Sequence, residues 1–248
     1  MVDLPEARDD LPLSDVLEAL RLSPLNLVGQ FVWGSNYTFL VTLDHPTGPI
    51  PAVYKPAQGE RPLWDFPNGT LASREAAAFL CSQALGWDLV PPTVMRNEGP
   101  LGAGSVQLFV DADPEKHFFT FSPQDKQRLR PVVTFDWVIN NADRKSGHIL
   151  LSPNHRIWLI DHGVCFHPED KLRTVVWDFV GESIPQALLD DLTRFESTLQ
   201  TETELTHALA LLLSPDELAA LLARVGRLRS QRRFPAPGRG RPYPWPLV

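Results

Sequence analysis

Two aspartates, Asp143 and Asp161, stand 18 residues apart, each preceded by an apolar run: Trp137-Val138-Ile139 before the first and Trp158-Leu159-Ile160 before the second. Carboxylates anchored this close to a core are costly unless a cation compensates them. The segment from Ile149 to Ile160 reads strand, turn, strand, with Ser152-Pro153-Asn154 at its tip. A hairpin of that size returns its two ends to one place, so both carboxylates would face one cleft and could share a metal ion and a phosphate. Phosphoryl-transfer sites divide labour in this way: one Asp positions or deprotonates the nucleophile and the other holds Mg²⁺. His148, five residues beyond Asp143, could supply a metal ligand or a phosphate hydrogen bond. The alternative is a structural imidazole bonded to backbone.

A cation for such a site is available upstream. Lys55 ends the strand-like run Ala52-Val53-Tyr54-Lys55-Pro56, and Glu75 lies on the helix that follows. A strand Lys and a packed-helix Glu can pair, and the ammonium can then neutralise nucleotide phosphates. One strand earlier, the turn Gly34-Ser35-Asn36 offers backbone N–H groups and a hydroxyl that could cover phosphates, although any hairpin could carry such a turn.

The elements that must position these groups follow from pattern. Ser14–Leu22 reads as an amphipathic helix capped by Ser14. Leu27–Leu43 reads strand, turn, strand, and a further strand covers Pro51–Pro56. Ser73 caps a helix over Arg74–Leu85 that Gly86 stops. Strands are expected at Leu89–Met95, interrupted by Pro91-Pro92, and at Gly104–Val110. After the linker Asp111–Pro114 the pattern turns helical. A helix starting at Ser122 or Asp125 runs to Asn140, with a break or kink at Pro131. Beyond the hairpin, helices are expected over Asp190–Leu199 and Thr203–Leu213, and another starts at Ser214-Pro215. From Arg224 the chain carries Arg224, Arg227, Arg229, Arg232, Arg233, Arg239 and Arg241 without an acidic residue. This reads as a solvated helix end and loose extension, with an anionic partner or membrane surface as the alternative. A strand-rich half, a linker and a helical half holding a hairpin make a two-lobed arrangement.

Bulk composition narrows the class. At 248 residues with 43% hydrophobic and 21% charged, the chain has the make-up of a globular protein able to bury a large core. A net charge of −7 argues against a nucleic-acid-binding surface over the whole molecule. Cys81 and Cys165, in apolar contexts without metal-binding spacing, read as buried thiols in a reducing compartment. No signal peptide and no membrane-spanning run is visible. A bacterial-type cytoplasmic protein is expected.

Six stretches stand in the order found in the phosphatidylinositol 3-/4-kinase superfamily. They are Gly34–Phe39, Val53-Tyr54-Lys55-Pro56, Glu75–Leu80 followed by Val90-Pro91-Pro92-Thr93, Gly104–Val110, Asn141-Ala142-Asp143-Arg144, and Ile160-Asp161-His162-Gly163. Between Gly34 and Phe166 the chain resembles most the type II phosphatidylinositol 4-kinases and their bacterial relatives. The resemblance implies a protein-kinase-like α+β fold, with an antiparallel-sheet N-lobe over residues 1–110 and a mainly helical C-lobe over 111–248. It implies an ATP-dependent phosphotransferase. Gly34, Ser35 and Asn36 would cover phosphates, Lys55 paired with Glu75 would hold the α- or β-phosphate, and Gln107, Phe109 and Val110 would lie on the hinge strand at adenine. Asp161, assisted by His148, would bind Mg²⁺ or Mn²⁺. Asp143 would orient the acceptor hydroxyl, and Arg144 or Lys145 would stabilise transferring charge. The superfamily usually carries Asn where this chain has His148, and a long lipid-docking insert is missing. A protein hydroxyl or small molecule is therefore expected as acceptor ahead of a lipid. The rivals are a nucleotide-binding pseudokinase regulating a partner, AMP transfer on the same fold, and a structural module in which both Asp residues only cap hairpin ends.

Overall fold

The computed structural model describes residues 11–31, 36–238 and 240–248. Val32, Trp33, Gly34 and Ser35 fall outside the described residues, so the expected phosphate-covering turn is represented only by Asn36. The first helix, α1 (Leu13–Leu22), is preceded by Pro12 and has no side-chain cap among the described residues. Ser14 lies within its first turn and does not cap it, because Pro12 already fixes the extended entry. Strands β1 (Leu25–Phe31), β2 (Thr38–Leu43) and β3 (Ile50–Pro56) follow as an antiparallel meander.

The period-2 alternation of β3 decides which face does chemistry. Ile50, Ala52 and Tyr54 point into an apolar layer closed by Val16 and Leu20 of α1. Val53 and Lys55, on the opposite face, line a cleft. Helix α2 (Leu71–Ala84) then crosses that cleft side. It starts three residues before the expected helix, and Ser73 is not its cap. Its N-terminus is satisfied from a distance, by Glu60 Oε1 accepting the Ala72 N–H at 2.8 Å. Because Ala76, Ala77 and Ala78 are small, α2 is buried on almost all sides. Strands β4 (Thr93–Arg96) and β5 (Gly104–Leu108) complete a five-stranded sheet of order β1-β2-β3-β5-β4. The Pro91-Pro92 pair falls outside β4, as expected of residues that lack a ladder donor.

In the helical half, α3 (Pro123–Gln127) is capped by Ser122, and α4 (Arg130–Ile139) begins with Pro131 in its first turn. The expected kink is thus a break between two helices, with proline where its missing N–H costs nothing. The hairpin β6 (Ile149–Leu151) and β7 (Ile157–Leu159) forms as the strand, turn, strand pattern predicts. Helices α5 (Gln186–Leu199), α6 (Glu204–Ala210) and α7 (Pro215–Gln231) close the half around Phe135, Ile139, Leu192, Leu221 and Leu228. Ser214 and Glu217 form a reciprocal capping box on α7. The other Glu217 oxygen pairs with buried Arg74 of α2, whose Nε donates to Cys165 O at 3.0 Å. Helix α2 is thereby tied to the chain just beyond Asp161.

Within the arginine-rich run, Arg224, Arg227, Arg229, Arg232 and Arg233 are held by the protein's own groups, and Arg239 lies outside the described residues. Arg224 is buried, and its Nε donates to Val138 O at 2.9 Å. Arg227 pairs with Asp170 and Arg229 with Glu196. Arg232 and Arg233 donate to Gln186 Oε1 and Gly181 O. Cys81 and Cys165 are buried free thiols. Burial pushes the Cys81 thiol up to about 12, so it is unreactive at neutral pH. Among the described residues no helix is long and apolar enough to cross a membrane.

Candidate active site

The face of β3 opposite α1, the inner side of α2 and the two ends of the β6–β7 hairpin enclose one cleft of ≈ 1280 Å³. Lys55 Nζ donates to Glu75 Oε1 at 2.5 Å and to Asp161 Oδ1 at 3.1 Å. The basic group of the sheet, the acid of α2 and the acid after the hairpin therefore meet at one nitrogen. Glu75 is buried, and its second oxygen accepts the His162 N–H at 2.9 Å. This fixes the carboxylate and the Asp161-His162 backbone together. Asp161 itself adopts the left-handed conformation, φ +63°, which Asp tolerates better than most residues. Its side chain remains 47% exposed.

Electrostatics follow from this geometry. The Lys55 charge, foremost, holds the Asp161 carboxyl well below the usual carboxylate range, against burial. Burial alone would lower Lys55, but Asp161 and Glu75 outweigh it and hold the ammonium above its ordinary value. His148 Nε2 lies 3.2 Å from Asp161 Oδ2. Burial, foremost, pushes this imidazole down to about 4, with Arg144, Lys145 and Lys55 adding to the effect and Asp161 opposing it. His148 is thus neutral at pH 7, the form that can ligate a metal. Asp143 lines the same cleft, with Lys145 Nζ 2.9 Å from its Oδ2. Burial raises the Asp143 pKa, and Lys145 opposes the rise.

Asp161 and His148 converge on one point of the cleft, and His148 Nδ1 is buried without a hydrogen-bond partner among the described residues. The described residues contain no group of three or more His, Cys, Asp or Glu able to hold a metal alone. The Asp161 carboxylate fits a cation that takes its remaining ligands from phosphate oxygens and water, as Mg²⁺ in nucleotide sites does, and the His148 nitrogen is a poorer match for that ion.

Asn36 lines the cleft and fixes the neighbouring loop, its Oδ1 accepting the Arg61 N–H at 2.7 Å. Gln107 lines it as well but spends its amide on Thr93 Oγ1 at 2.8 Å. Phe109 and Val110 form the cleft's edge between the two halves. The Phe109 N–H is committed to Pro51 O at 3.0 Å, which among the described residues leaves the Phe109 carbonyl and the Val110 N–H as the backbone groups on offer there.

Arg144 is a correction. The sequence places it with the transferring charge, yet its side chain is fully buried and points away from the cleft's lining. Its Nε and Nη2 donate to Asp136 at 3.0–3.1 Å, and its Nη1 donates to Ile160 O at 2.9 Å and to His148 O at 3.2 Å. Its Nη2 also meets His162 Nε2 at 2.8 Å. It braces the Asp143 loop against the Asp161 segment from behind.

Sequence reasoning also missed the organisers of that loop. Asn140 ends α4 in the left-handed conformation and bonds His167 O, Glu169 O and the Lys171 N–H. Asn141 donates to Asp136 and accepts the Asp143 N–H at 2.9 Å. An Asn pair directly after an apolar helix was the available signal.

The chain is 38% identical over 257 aligned residues to protein Rv2133c of Mycobacterium tuberculosis, covering 90% of this chain and 91% of that protein. The chain belongs to the family of Rv2133c. No family model matches it. Among solved structures, the Golgi casein kinase with Mn/ADP bound aligns with TM-score 0.58 at 19% identity, over 88% of this chain and 74% of its own. A hydra Fam20 structure with sugar aligns with TM-score 0.53 at 17% identity, over 92% of each chain. The Helicobacter pylori proinflammatory kinase CtkA aligns with TM-score 0.50 at 14% identity, over 87% of this chain and 94% of its own. These likenesses establish a two-lobed protein-kinase-like fold for the Rv2133c family member described here.

Proposed function

We propose that this protein transfers the γ-phosphoryl group of ATP to a hydroxyl acceptor, and that its lobes divide near residues 110 and 111. The observation that carries the reading is the meeting of Lys55, Glu75 and Asp161 at one nitrogen, in a cleft that also holds Asp143. In this reading Glu75 orients Lys55 toward the α- or β-phosphate. The edge at Phe109 and Val110, with Gln107 behind it, receives the adenine. Asp161 and His148 would hold Mg²⁺ or Mn²⁺, which when bound would screen the phosphate charges. Asp143 orients the acceptor hydroxyl. Its oxygen bonds to the γ-phosphorus, the bond from that phosphorus to the β–γ bridging oxygen breaks, ADP leaves, and the hydroxyl proton passes to the Asp143 carboxylate. Lys145 lies beside that carboxylate and would stabilise the transferring charge.

The motif order of this chain supports a resemblance to the type II phosphatidylinositol 4-kinases. His148 favours one second reading, a nucleotide-binding pseudokinase, because Mg²⁺ prefers oxygen ligands. Incubation with γ-labelled and, separately, α-labelled ATP tests both. Label from the γ-position on an acceptor supports the kinase. Label from the α-position supports AMP transfer. Nucleotide-dependent thermal stabilisation without either label supports the pseudokinase.

A further inference from the structure

The phosphotransferase reading leaves the acceptor open, and the cleft in front of Asp143 constrains it. Three stretches frame that end. One is 168–174, whose Arg173 lines the cleft. The second carries Trp64, 92% exposed, with Lys171 Nζ 4.9 Å above its ring. The third is 242–248, which crosses the loop: Ser146 N–H donates to Leu247 O at 2.8 Å and Thr174 N–H to Pro242 O at 3.1 Å. This crossing sets Trp245, 75% exposed, into the cleft's lining.

The cations in this region differ in what they already hold. Lys55 serves Glu75 and Asp161, Lys145 serves Asp143, and Lys171 serves Asp65. Arg173 has no side-chain partner among the described residues, although its backbone is fixed on both sides. Its N–H donates to Asn141 O at 2.9 Å, and its carbonyl accepts the Arg144 N–H at 2.9 Å. Its charge is near enough to Asp143 to draw that pKa down. A guanidinium carried on a backbone fixed at Asn141 and Arg144, the residues flanking the acceptor-orienting carboxylate, lining the cleft and without a side-chain partner among the described residues, is an anion receptor by its chemistry. The backbone donors of Ser146 and Thr174, which an extended peptide acceptor could use for strand-like docking, are taken by the protein's own 242–248 stretch.

We propose that the acceptor end of the cleft takes a small hydroxylated molecule bearing a phosphate or carboxylate, with Arg173 holding that anion and Trp245 forming the wall it lies against. The proposal rests on the phosphotransferase reading for the role of Asp143, but its binding half can be tested without turnover. The probes are glycerol 3-phosphate, glucose 6-phosphate and gluconate against glycerol and glucose, with a serine/threonine peptide mixture and phosphatidylinositol vesicles as further arms. Binding to the whole protein, with ADP and Mn²⁺ present, is followed by ligand-observed NMR and by indole fluorescence, and turnover by ADP release.

A soluble anionic probe is expected to bind where its neutral counterpart does not. Arg173→Ala should weaken that binding about 10- to 100-fold, as loss of a charge-assisted hydrogen bond does, and leave ADP affinity unchanged. Arg173→Lys should restore part of it, and Trp245→Ala should weaken it while leaving the preference for anions. Equal binding of neutral and anionic probes, no binding of any soluble anion, or phosphorylation confined to peptides or vesicles overturns the proposal. So does a joint loss of ADP affinity in Arg173→Ala, which would place Arg173 with the nucleotide. Arg173-dependent binding without phosphate transfer would uphold the anion site and refute the phosphotransferase reading instead.

Discussion

Arg144→Met separates a bracing role from a catalytic one. In the folded protein Arg144 and Asp136 are both buried, and the guanidinium also satisfies the carbonyls of Ile160 and His148. Methionine fills similar space but leaves the Asp136 carboxylate without its countercharge. Breaking a buried pair from one side costs about 3–5 kcal/mol, and each orphaned carbonyl adds up to about 1–3 kcal/mol, though not additively. Against a total stability of about 5–15 kcal/mol the loss is large.

The sign of the pH dependence provides a second readout. Burial already raises the Asp136 pKa, with Arg144 opposing the rise, so removing Arg144 raises it further. The folded variant then keeps a proton that the unfolded chain, titrating near about 3.9, releases. Its deficit relative to wild type should shrink as pH falls from 7 to 5. Urea unfolding followed by tryptophan fluorescence at both pH values measures this. Arg144→Met with Asp136→Asn should recover much of the loss, because the uncompensated charge is gone. A deficit below about 1 kcal/mol, within the range of an exposed pair, would refute the bracing role. Preserved stability with abolished turnover would return Arg144 to the transferring phosphate.

Three further outcomes follow from the site. Lys55→Met removes the common partner of Glu75 and Asp161, and calorimetric affinity for a non-hydrolysable ATP analogue should fall by about 10-fold or more, the scale of a charge-assisted contact; an unchanged value would mean that Lys55 does not touch nucleotide. Asp143→Asn should cut γ-phosphate transfer about 10²- to 10⁴-fold while the KM for ATP stays put, and a proportional rise in that KM would move Asp143 to the nucleotide side. His148 titrates near 6.5 when unfolded and is held down to about 4 when folded. Its contribution to stability is therefore complete above about pH 6.5 and lost, by about 3 kcal/mol, as pH falls through about 4. Urea midpoints at pH 7 and 4.5 should accordingly converge in His148→Gln.

The parts of the site legible in the sequence share one property: short-range geometry determines them. The β6–β7 hairpin joins Asp143 to Asp161 through local pairing, and strand alternation puts Lys55 on one face of β3. The side-chain network behind the site was harder to read, because an Arg beside a reactive Asp looks the same whether it turns outward or in. For Arg144 the direction is set by Asp136, eight residues upstream and buried among Val132, Phe135 and Ile139 on α4. A carboxylate on that apolar helical face must find a countercharge inside. The same reasoning applies to Arg224, which shares the buried face of α7 with Leu221, Val225 and Leu228. Read by composition it belongs to a basic extension; read by helical register it belongs to the core, where it meets Val138 O. Arg74 and Glu75 stand in the alanine-rich stretch of α2 under the same constraint, one tied to Glu217 and the other to Lys55. In this chain a charged residue at an apolar helical register marks a tie between distant segments, and those ties hold the cleft's two walls at the distance where Lys55 can reach Asp161.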